Sequence, residues 1–196
     1  MIFVGGMSRA GTSVMMECLK NSGYRIGEDA LLNGHKYKSE YKPLFFTFEW
    51  MYPSVVGRGG KFNKIDFVII NNVAAFTLNE GVEAVKVLKT CFMFPCIKDH
   101  SIMKHPKFIL MSRNVDDAVA SCKRVGQDSA SPEALGMYVR GWNIMAKDYP
   151  TIRIKHKDLI NNTEEVKKKL SVFLDRDIDM SIISPKETYE VSGSVH

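Results

Sequence analysis

The apolar and polar segments along the chain alternate in a way that predicts strands followed by helices. Short continuous apolar runs are typical of strands that are buried on both faces of a parallel sheet. They are bounded by Gly, Pro and polar clusters, which mark the turns. The strands predicted in this way are 2–4, 67–70, 92–97, 107–112 and 151–154.

Apolar residues spaced by three and four positions predict helices between these strands. Ser131 is expected to cap one of them, because Pro132 follows at the position where proline best fits the first helical turn. The predicted helices are 14–19, 79–90, 115–125, 131–147 and 163–174. This order predicts an α/β fold, a three-layer sandwich with a central, mostly parallel, doubly wound sheet.

The length of 196 residues favours a single domain over 1–196. Residues 28–64 lack periodicity, are rich in Tyr, Phe, Lys and Gly, and contain Pro43 and Pro53. We expect this segment to be an insertion that binds a substrate. The polar tail 185–196 is expected to be loosely ordered.

Composition narrows the class of protein. The chain is 45% hydrophobic and 25% charged, and it has no run near the roughly 20 apolar residues of a membrane span. It opens directly on its first predicted strand, so a cytoplasmic protein is expected. The four scattered cysteines lack the short-spaced pairs of a zinc site or redox motif and suit small buried side chains better.

The charge pattern bears on the partner. The formal net charge of +5 is modest, and no Lys/Arg cluster is interleaved with aromatic residues as in a nucleic-acid groove. The excess of positive charge therefore fits a small anionic ligand better than a polynucleotide.

The first candidate site is the glycine-rich turn after the first strand. Gly6, four further residues, Gly11 and then Thr12-Ser13 match the spacing of a phosphate-binding P-loop. Such a turn presents backbone N–H groups at a helix N-terminus, which attracts anions. Thr12 stands where a nucleotide triphosphatase has its phosphate-binding lysine. The loop therefore predicts a phosphate-containing donor other than ATP.

The second candidate site lies at the end of strand 107–112, where ligands collect in open parallel sheets. Arg113 follows this strand directly, and Ser121 lies two helical turns further along. A guanidinium fork and a hydroxyl are suited to binding a second, separate phosphate.

These segments resemble the sulfotransferase family in three motifs that occur in the family's order. Residues 6–13, Gly-Met-Ser-Arg-Ala-Gly-Thr-Ser, are similar to its 5′-phosphosulfate loop, G-x-P-R-S-G-T-[ST]. Residues 112–121, Ser-Arg-Asn-Val-Asp-Asp-Ala-Val-Ala-Ser, are similar to its 3′-phosphate motif, R-[DN]-P-x-D-x-x-x-S. Residues 154–159 and the helix ending in Phe173-Leu174 form a weaker third match.

The resemblance implies an enzyme that passes a sulfuryl group from 3′-phosphoadenosine 5′-phosphosulfate to a hydroxyl or amine. It implies adenosine 3′,5′-bisphosphate as the other product, a small molecule or glycan as the acceptor, and no metal, nucleic-acid or membrane partner. The donor-binding residues that it implies are Ser8, Arg9, Ala10, Gly11, Thr12, Ser13, Arg113 and Ser121.

Three residues are candidates for the chemistry of the acceptor side. A sulfotransferase commonly uses His or Glu to take the acceptor's proton, and His35 and Glu40 resemble a G-H-x-E segment of some bacterial members. Lys98 follows the predicted strand 92–97, and from the ligand-binding edge of the sheet it could contact the sulfuryl oxygens.

Two other functions fit parts of the sequence. A P-loop nucleoside or nucleotide kinase fits the strand, loop and helix, but it requires a lysine at position 12 and an arginine-rich lid. A non-catalytic, sulfotransferase-like binding protein fits the short length of the chain.

Overall fold

The centre of the molecule is a four-stranded parallel sheet with the strand order β2-β1-β3-β4. The computed structural model describes residues 1–27, 47, 51, 53–55, 57–86, 88–127 and 130–183. The strands are β1 (Ile2–Gly6), β2 (Ala84–Val85), β3 (Lys107–Ser112) and β4 (Thr151–Lys155). β1 pairs along its whole length with β3, from Ile2 opposite Lys107 to Gly6 opposite Met111.

Helices connect the strands and cover both faces of the sheet. They are α1 (Thr12–Asn21), α2 (Lys64–Asn79), α3 (Phe94–Ile97), α4 (Val115–Lys123), α5 (Pro132–Met145), α6 (His156–Asn161) and α7 (Thr163–Leu174). Short 3₁₀ segments lie at Leu88–Met93 and Ser101–Met103. In the part of the chain that the structure describes, no helix combines the length and apolar character needed to cross a membrane.

Side chains alternate between the two faces of the sheet, and this alternation divides the core into two clusters. Val4 and Ile109 pack with α1, α4, α6 and α7, whereas Phe3 and Phe108 pack with α2, α3 and most of α5. The rings of Phe3 and Phe108 stack with their centroids 5.2 Å apart. Burial on both faces explains why the strands are nearly continuous apolar runs.

Local side-chain hydrogen bonds fix where α4 and α5 begin. The Asn114 side chain accepts from the Asp117 N–H at the start of α4. The Ser131 hydroxyl accepts from the Ala134 N–H at the start of α5, where Pro132 is the first helical residue. The cap that the sequence predicts at Ser131 is therefore confirmed.

The predicted α/β architecture is confirmed, as are three of the strands and most of the helices. Strands 2–4, 107–112 and 151–154 correspond to β1, β3 and β4, with β1 extending to Gly6. The helix predicted from Val14 corresponds to α1, and those at 115–125, 131–147 and 163–174 correspond to α4, α5 and α7.

The strand predicted at 67–70 is wrong, because this apolar run lies inside α2. Asn63 and Asp66 form a capping box that starts the helix, each side chain accepting from the other's backbone N–H. The buried residues Ile70, Ala74 and Thr77 follow a helical period, whereas Val68 is 58% exposed. A short apolar run by itself does not distinguish a strand from one side of a helix.

The helix predicted at 79–90 is also wrong. Gly81, with a φ of 68°, lies just after the end of α2, and the chain then enters β2, which pairs with β1. The strand predicted at 92–97 is replaced by a 3₁₀ segment and the short helix α3, which contains Pro95. Proline lacks the N–H that a strand ladder needs, which explains this outcome.

Two predicted regions fall largely or wholly outside the described residues: most of the insertion 28–64 and the tail 185–196. The four cysteines are free and buried, as expected of small core side chains. Burial raises the pKa of both the Cys91 and the Cys96 thiol to about 12.

We expect Gly5→Ala to destabilise the fold, because a Cβ at Gly5 would overlap the indole ring of Trp142. That ring is 1% exposed, and its Nε1 donates to the Leu88 carbonyl at 3.1 Å, so it has little room to move. Overpacking of this kind lowers the free energy of unfolding by about 1–3 kcal/mol.

Urea denaturation measures this loss, with Gly57→Ala as the matched control. A Cβ at Gly57 meets no atom within 4 Å, so that variant is expected to stay within about 1 kcal/mol of the parent protein. Equal stability of the two variants would contradict the close packing of Trp142 on Gly5.

Candidate functional site

The carboxyl ends of all four parallel strands meet at one edge of the sheet and bring four chain segments together. Along this edge, Lys86 follows β2, the loop 7–11 follows β1, Arg113 follows β3 and His156 follows β4. This edge is where open α/β sheets bind their ligands.

The loop after β1 depends on glycine at its two ends. Gly6 has a φ of 108°, and a Cβ there would overlap the carbonyl oxygen of Met111. The next residue, Met7, donates its N–H to the same carbonyl at 3.0 Å. Gly11 has a φ of 89° and is the N-cap of α1. The loop is thus held against β3 at its start and turns directly into α1 at its end.

The N-terminus of α1 presents unpaired N–H groups to this edge. Within the described part of the chain, the backbone N–H groups of Arg9, Ala10, Gly11 and Thr12 donate to no other protein group. α1 has neither a side-chain cap nor an acidic residue in its first turn, whereas α2, α4 and α5 have both. Because the macrodipole adds positive potential at this end, the loop is suited to an anion.

Arg9, Arg113 and Ser121 connect the two sites that the sequence predicts separately. Arg9 Nε donates to the Ser121 hydroxyl at 3.2 Å. Arg113 Nη1 donates to the Arg9 carbonyl at 3.2 Å, and Arg9 itself has a left-handed φ of 62°. The loop and the end of β3 therefore form one continuous surface.

One donor on this surface lacks an acceptor. The Nε of Arg113 is buried and has no hydrogen-bond partner among the described residues. A buried guanidinium N–H without a partner is costly. An anion bound beside Arg113 would satisfy it.

Lys86 is a candidate functional residue that the sequence-based prediction missed. Its side chain is buried, with 5% exposed, and its Nζ donates to the Ser13 hydroxyl at 3.1 Å. The short apolar stretch Ala84-Val85 directly before Lys86 was the available signal. Interpreted as a strand, it places a lysine at the ligand-binding edge beside the loop.

His156 lies at the other end of the same edge, in a cavity of about 610 Å³. The cavity is bounded by the ends of β3 and β4 and by α4 and α6, with Ser112, Arg113, Asn114, Asp117, Lys155, His156, Lys157, Ile160 and Asn161 as its lining. Burial and then the nearby Arg113 charge lower the pKa of His156, while Asp117 acts in the opposite direction. In the free protein its imidazole is therefore neutral at pH 7.

The structure gathers the predicted donor-binding residues at this edge. Ser8, Ala10 and Thr12 are buried in the loop and the first turn of α1, whereas Arg9 and Ser13 are exposed. Ser121 is buried on α4 and Arg113 is half-buried.

The predicted catalytic residues have different outcomes. His35 and Glu40 lie outside the described residues. The expectation that Lys98 stands at the end of a strand is wrong, because Lys98 is an exposed residue just after the short helix α3. Among the residues that the structure describes, no three His, Cys, Asp or Glu side chains form a group that could hold a metal ion.

Comparison with known proteins identifies the fold. No family model and no curated protein matches the sequence. The sulfotransferase domain of the Synechococcus PCC 7002 olefin synthase aligns with 96% of this chain and 77% of its own, at 15% identity and a TM-score of 0.56. The sulfotransferase domain from the curacin biosynthetic pathway aligns with 95% of this chain and 77% of its own length, at 14% identity and a TM-score of 0.53. The chain therefore has the fold of sulfotransferase domains.

The geometry around His156 predicts how its pKa responds to its neighbours. We expect an NMR titration of the free protein to give a His156 pKa below the ordinary value of about 6.5. Arg113→Ala should raise the pKa, because it removes a neighbouring positive charge, and Asp117→Asn should lower it. Arg124→Ala, which removes an exposed charge at the end of α4, should leave it unchanged.

The lowered pKa of His156 also makes the stability of the folded protein depend on pH. Because the folded-state pKa is below the unfolded one, the unfolded chain binds more protons between these two values. The contribution of His156 to the free energy of unfolding is therefore complete above about pH 6.5. It is lost as the pH falls towards the pKa of His156 in the folded protein. A His156 pKa at or above the ordinary value in the free protein would contradict the described surroundings.

Proposed function

We propose that this chain, which has the fold of sulfotransferase domains, transfers a sulfuryl group from 3′-phosphoadenosine 5′-phosphosulfate to a hydroxyl or amine. The acceptor would be a small molecule or a glycan. One observation carries the proposal: Arg9 in the loop before α1 is hydrogen-bonded both to Ser121 and to Arg113, so two groups of residues suited to anions adjoin across the ends of β1 and β3. A donor phosphorylated at both ends of its ribose needs two such groups at short range.

Hydrogen-bond donors are available at this edge for both phosphates of the nucleotide. The N–H groups of residues 9–12 are unpaired within the described part of the chain and suit the 5′-phosphate. Arg113 has a buried Nε without a protein acceptor there, and it suits the 3′-phosphate. The Ser121 hydroxyl accepts from Arg9, so its own proton remains available for a phosphate oxygen.

The strand order gives the donor a direction. With the 5′-phosphate on the loop after β1 and the 3′-phosphate beside β3, the nucleoside extends towards the cavity at the end of β4. The sulfuryl end then faces β2, where Lys86 meets Ser13. The acceptor would accordingly approach from the β2 side of the sheet.

Each group at this edge has a role in the proposed transfer. The bound donor supplies the sulfuryl group, whose bond to the 5′-phosphate oxygen breaks as the acceptor oxygen or nitrogen attacks sulfur. The N–H groups of the loop and the Lys86 ammonium stabilise the negative charge that grows on the oxygens at the β2 side. His35 or Glu40 remains our proposal for the base that takes the acceptor's proton.

A nucleoside or nucleotide kinase remains the alternative, because one observation favours it. Lys86 brings an ammonium to the phosphate loop from a neighbouring strand, although position 12 is a threonine. Comparing ATP with adenosine 3′,5′-bisphosphate as ligands distinguishes the two functions, because only the second carries a 3′-phosphate for Arg113.

The binding test uses calorimetry and thermal shift with adenosine 3′,5′-bisphosphate and, separately, ATP. We expect the bisphosphate to bind more tightly and to raise the melting temperature. Arg113→Ala should weaken its binding about 10- to 100-fold, the effect of losing hydrogen bonds to a charged group. Arg124→Ala, the matched control on α4, should bind like the parent protein. Tighter binding of ATP, or equal affinity in both variants, would overturn the proposed function.

The transfer test uses donor labelled in its sulfuryl group and a panel of phenols, alcohols, amines and oligosaccharides. Lys86→Met is expected to lower turnover on the best acceptor about 100-fold, a magnitude typical of losing one preorganised charge-stabilising group. Its affinity for adenosine 3′,5′-bisphosphate should change less than about threefold, because that product lacks the sulfuryl group.

The control for this test is Lys168→Met, which removes an exposed lysine on α7. It should leave turnover unchanged. If the parent protein transfers label to no acceptor while it binds the bisphosphate, the chain is the non-catalytic binding protein instead.

A further inference from the structure

His156 occupies a position between the phosphate loop and Arg113 that suits a ligand-binding role. It is the first residue of α6, directly after β4, and it is half-buried. A Cβ built on Gly11 would lie 3.4 Å from His156 Cδ2, so the imidazole ring is close to the loop. The ring also lines the 610 Å³ cavity together with Arg113 and Asp117.

The charges around the ring are mainly positive. Arg113 from the end of β3 and Asp117 from α4 face it across the cavity. Lys155 and Lys157, which flank His156 in the sequence, also line the cavity, and neither forms an ion pair among the described residues.

Two further charged groups lie nearby but do not line this cavity. Arg9 in the loop after β1 is linked to Arg113 through its carbonyl. Asp158 on α6 lines a different pocket, which also contains Lys169. Among the residues that the structure describes, Asp117 is thus the one carboxylate that lines the cavity, together with the cations Arg113, Lys155 and Lys157.

We propose that a nucleotide 3′-phosphate bound beside Arg113 draws a proton from solvent onto His156, and that the imidazolium becomes a further binding group for that phosphate. The inference rests on the proposed function, because it places the 3′-phosphate of the donor or product in this cavity. His156 thereby contributes to selecting 3′-phosphorylated nucleotides over those with a 5′-phosphate alone.

Binding of the phosphate changes the local charge from positive to negative, and this change drives the uptake of the proton by His156. Without ligand, burial and the Arg113 charge oppose a proton on the ring, and Asp117 favours it. A phosphate monoester carries close to two negative charges at pH 7. Adding them to a half-buried cavity outweighs the neighbouring cations and favours the charged imidazole. Binding and protonation are then linked, and each must favour the other.

This linkage predicts a pH dependence with a definite sign. Affinity for adenosine 3′,5′-bisphosphate should increase as the pH falls from 8 to 6.5, by about two- to fourfold if the His156 pKa rises by about one unit on binding. Below about pH 6 the phosphate itself takes up a proton, so the measurement stays above that range.

The experiment measures proton uptake by calorimetry at pH 7 in buffers of different ionisation enthalpy. The parent protein and His105→Gln, which alters an exposed histidine before β3, should take up several tenths of a proton per bound bisphosphate. His156→Gln should lose this uptake and the pH dependence of affinity. NMR of the parent protein provides a second readout, in which the His156 pKa rises with the bisphosphate and not with 5′-AMP.

The outcomes separate this inference from the proposed function. If the bisphosphate binds with the same proton uptake in His156→Gln as in the parent protein, or if the NMR pKa of His156 does not rise, the inference is overturned and the proposed function stands. If the bisphosphate does not bind at any pH, both are overturned.

Discussion

The close packing of the chain around Gly5 and Gly6 is the constraint on which the rest of the candidate site depends. The buried ring of Trp142 takes the space that a Cβ at Gly5 would need, and the Met111 carbonyl takes that space at Gly6. β1 and β3 can therefore stay paired to the point where the loop begins. Because the loop leaves the sheet directly beside β3, the carbonyl of Arg9 comes within reach of Arg113. Backbone packing thus places the glycine-rich loop against Arg113.

The same edge concentrates positive charge. Lys86, Arg9 and Arg113 lie along it together with the positive end of the α1 dipole, and Arg113 has a buried N–H without a partner among the described residues. Burial lowers the pKa of His156, and the nearby charge of Arg113 lowers it further. A phosphate bound beside Arg113 would act in the opposite direction, which is the reason for the proposed linkage between binding and protonation.

The sequence predicted the fold class, because alternating strands and helices allow few arrangements, but it assigned three segments wrongly. The apolar run at 67–70 predicts a strand, the spacing of Val82, Val85 and Leu88 at 79–90 predicts a helix, and the apolar residues at 92–97 predict a strand. Short segments fit both periods. The secondary structure of these segments depends on the contacts that they make. The Asn63–Asp66 capping box starts a helix before residues 67–70, and pairing with β1 fixes the strand β2 within residues 79–90.

The sequence by itself determined the local chemistry: the glycine spacing of the loop, Arg113 at the end of a strand, and a hydroxyl at Ser121. These follow from contacts between near neighbours and from the direction of a single strand. Only the tertiary structure decided that Lys86 meets Ser13, that Arg113 reaches Arg9, and that His156 lies beside Gly11. Those contacts join residues that are 73 and 104 positions apart in the first two cases. They depend on the strand order β2-β1-β3-β4, which arises from packing helices on both faces of one sheet.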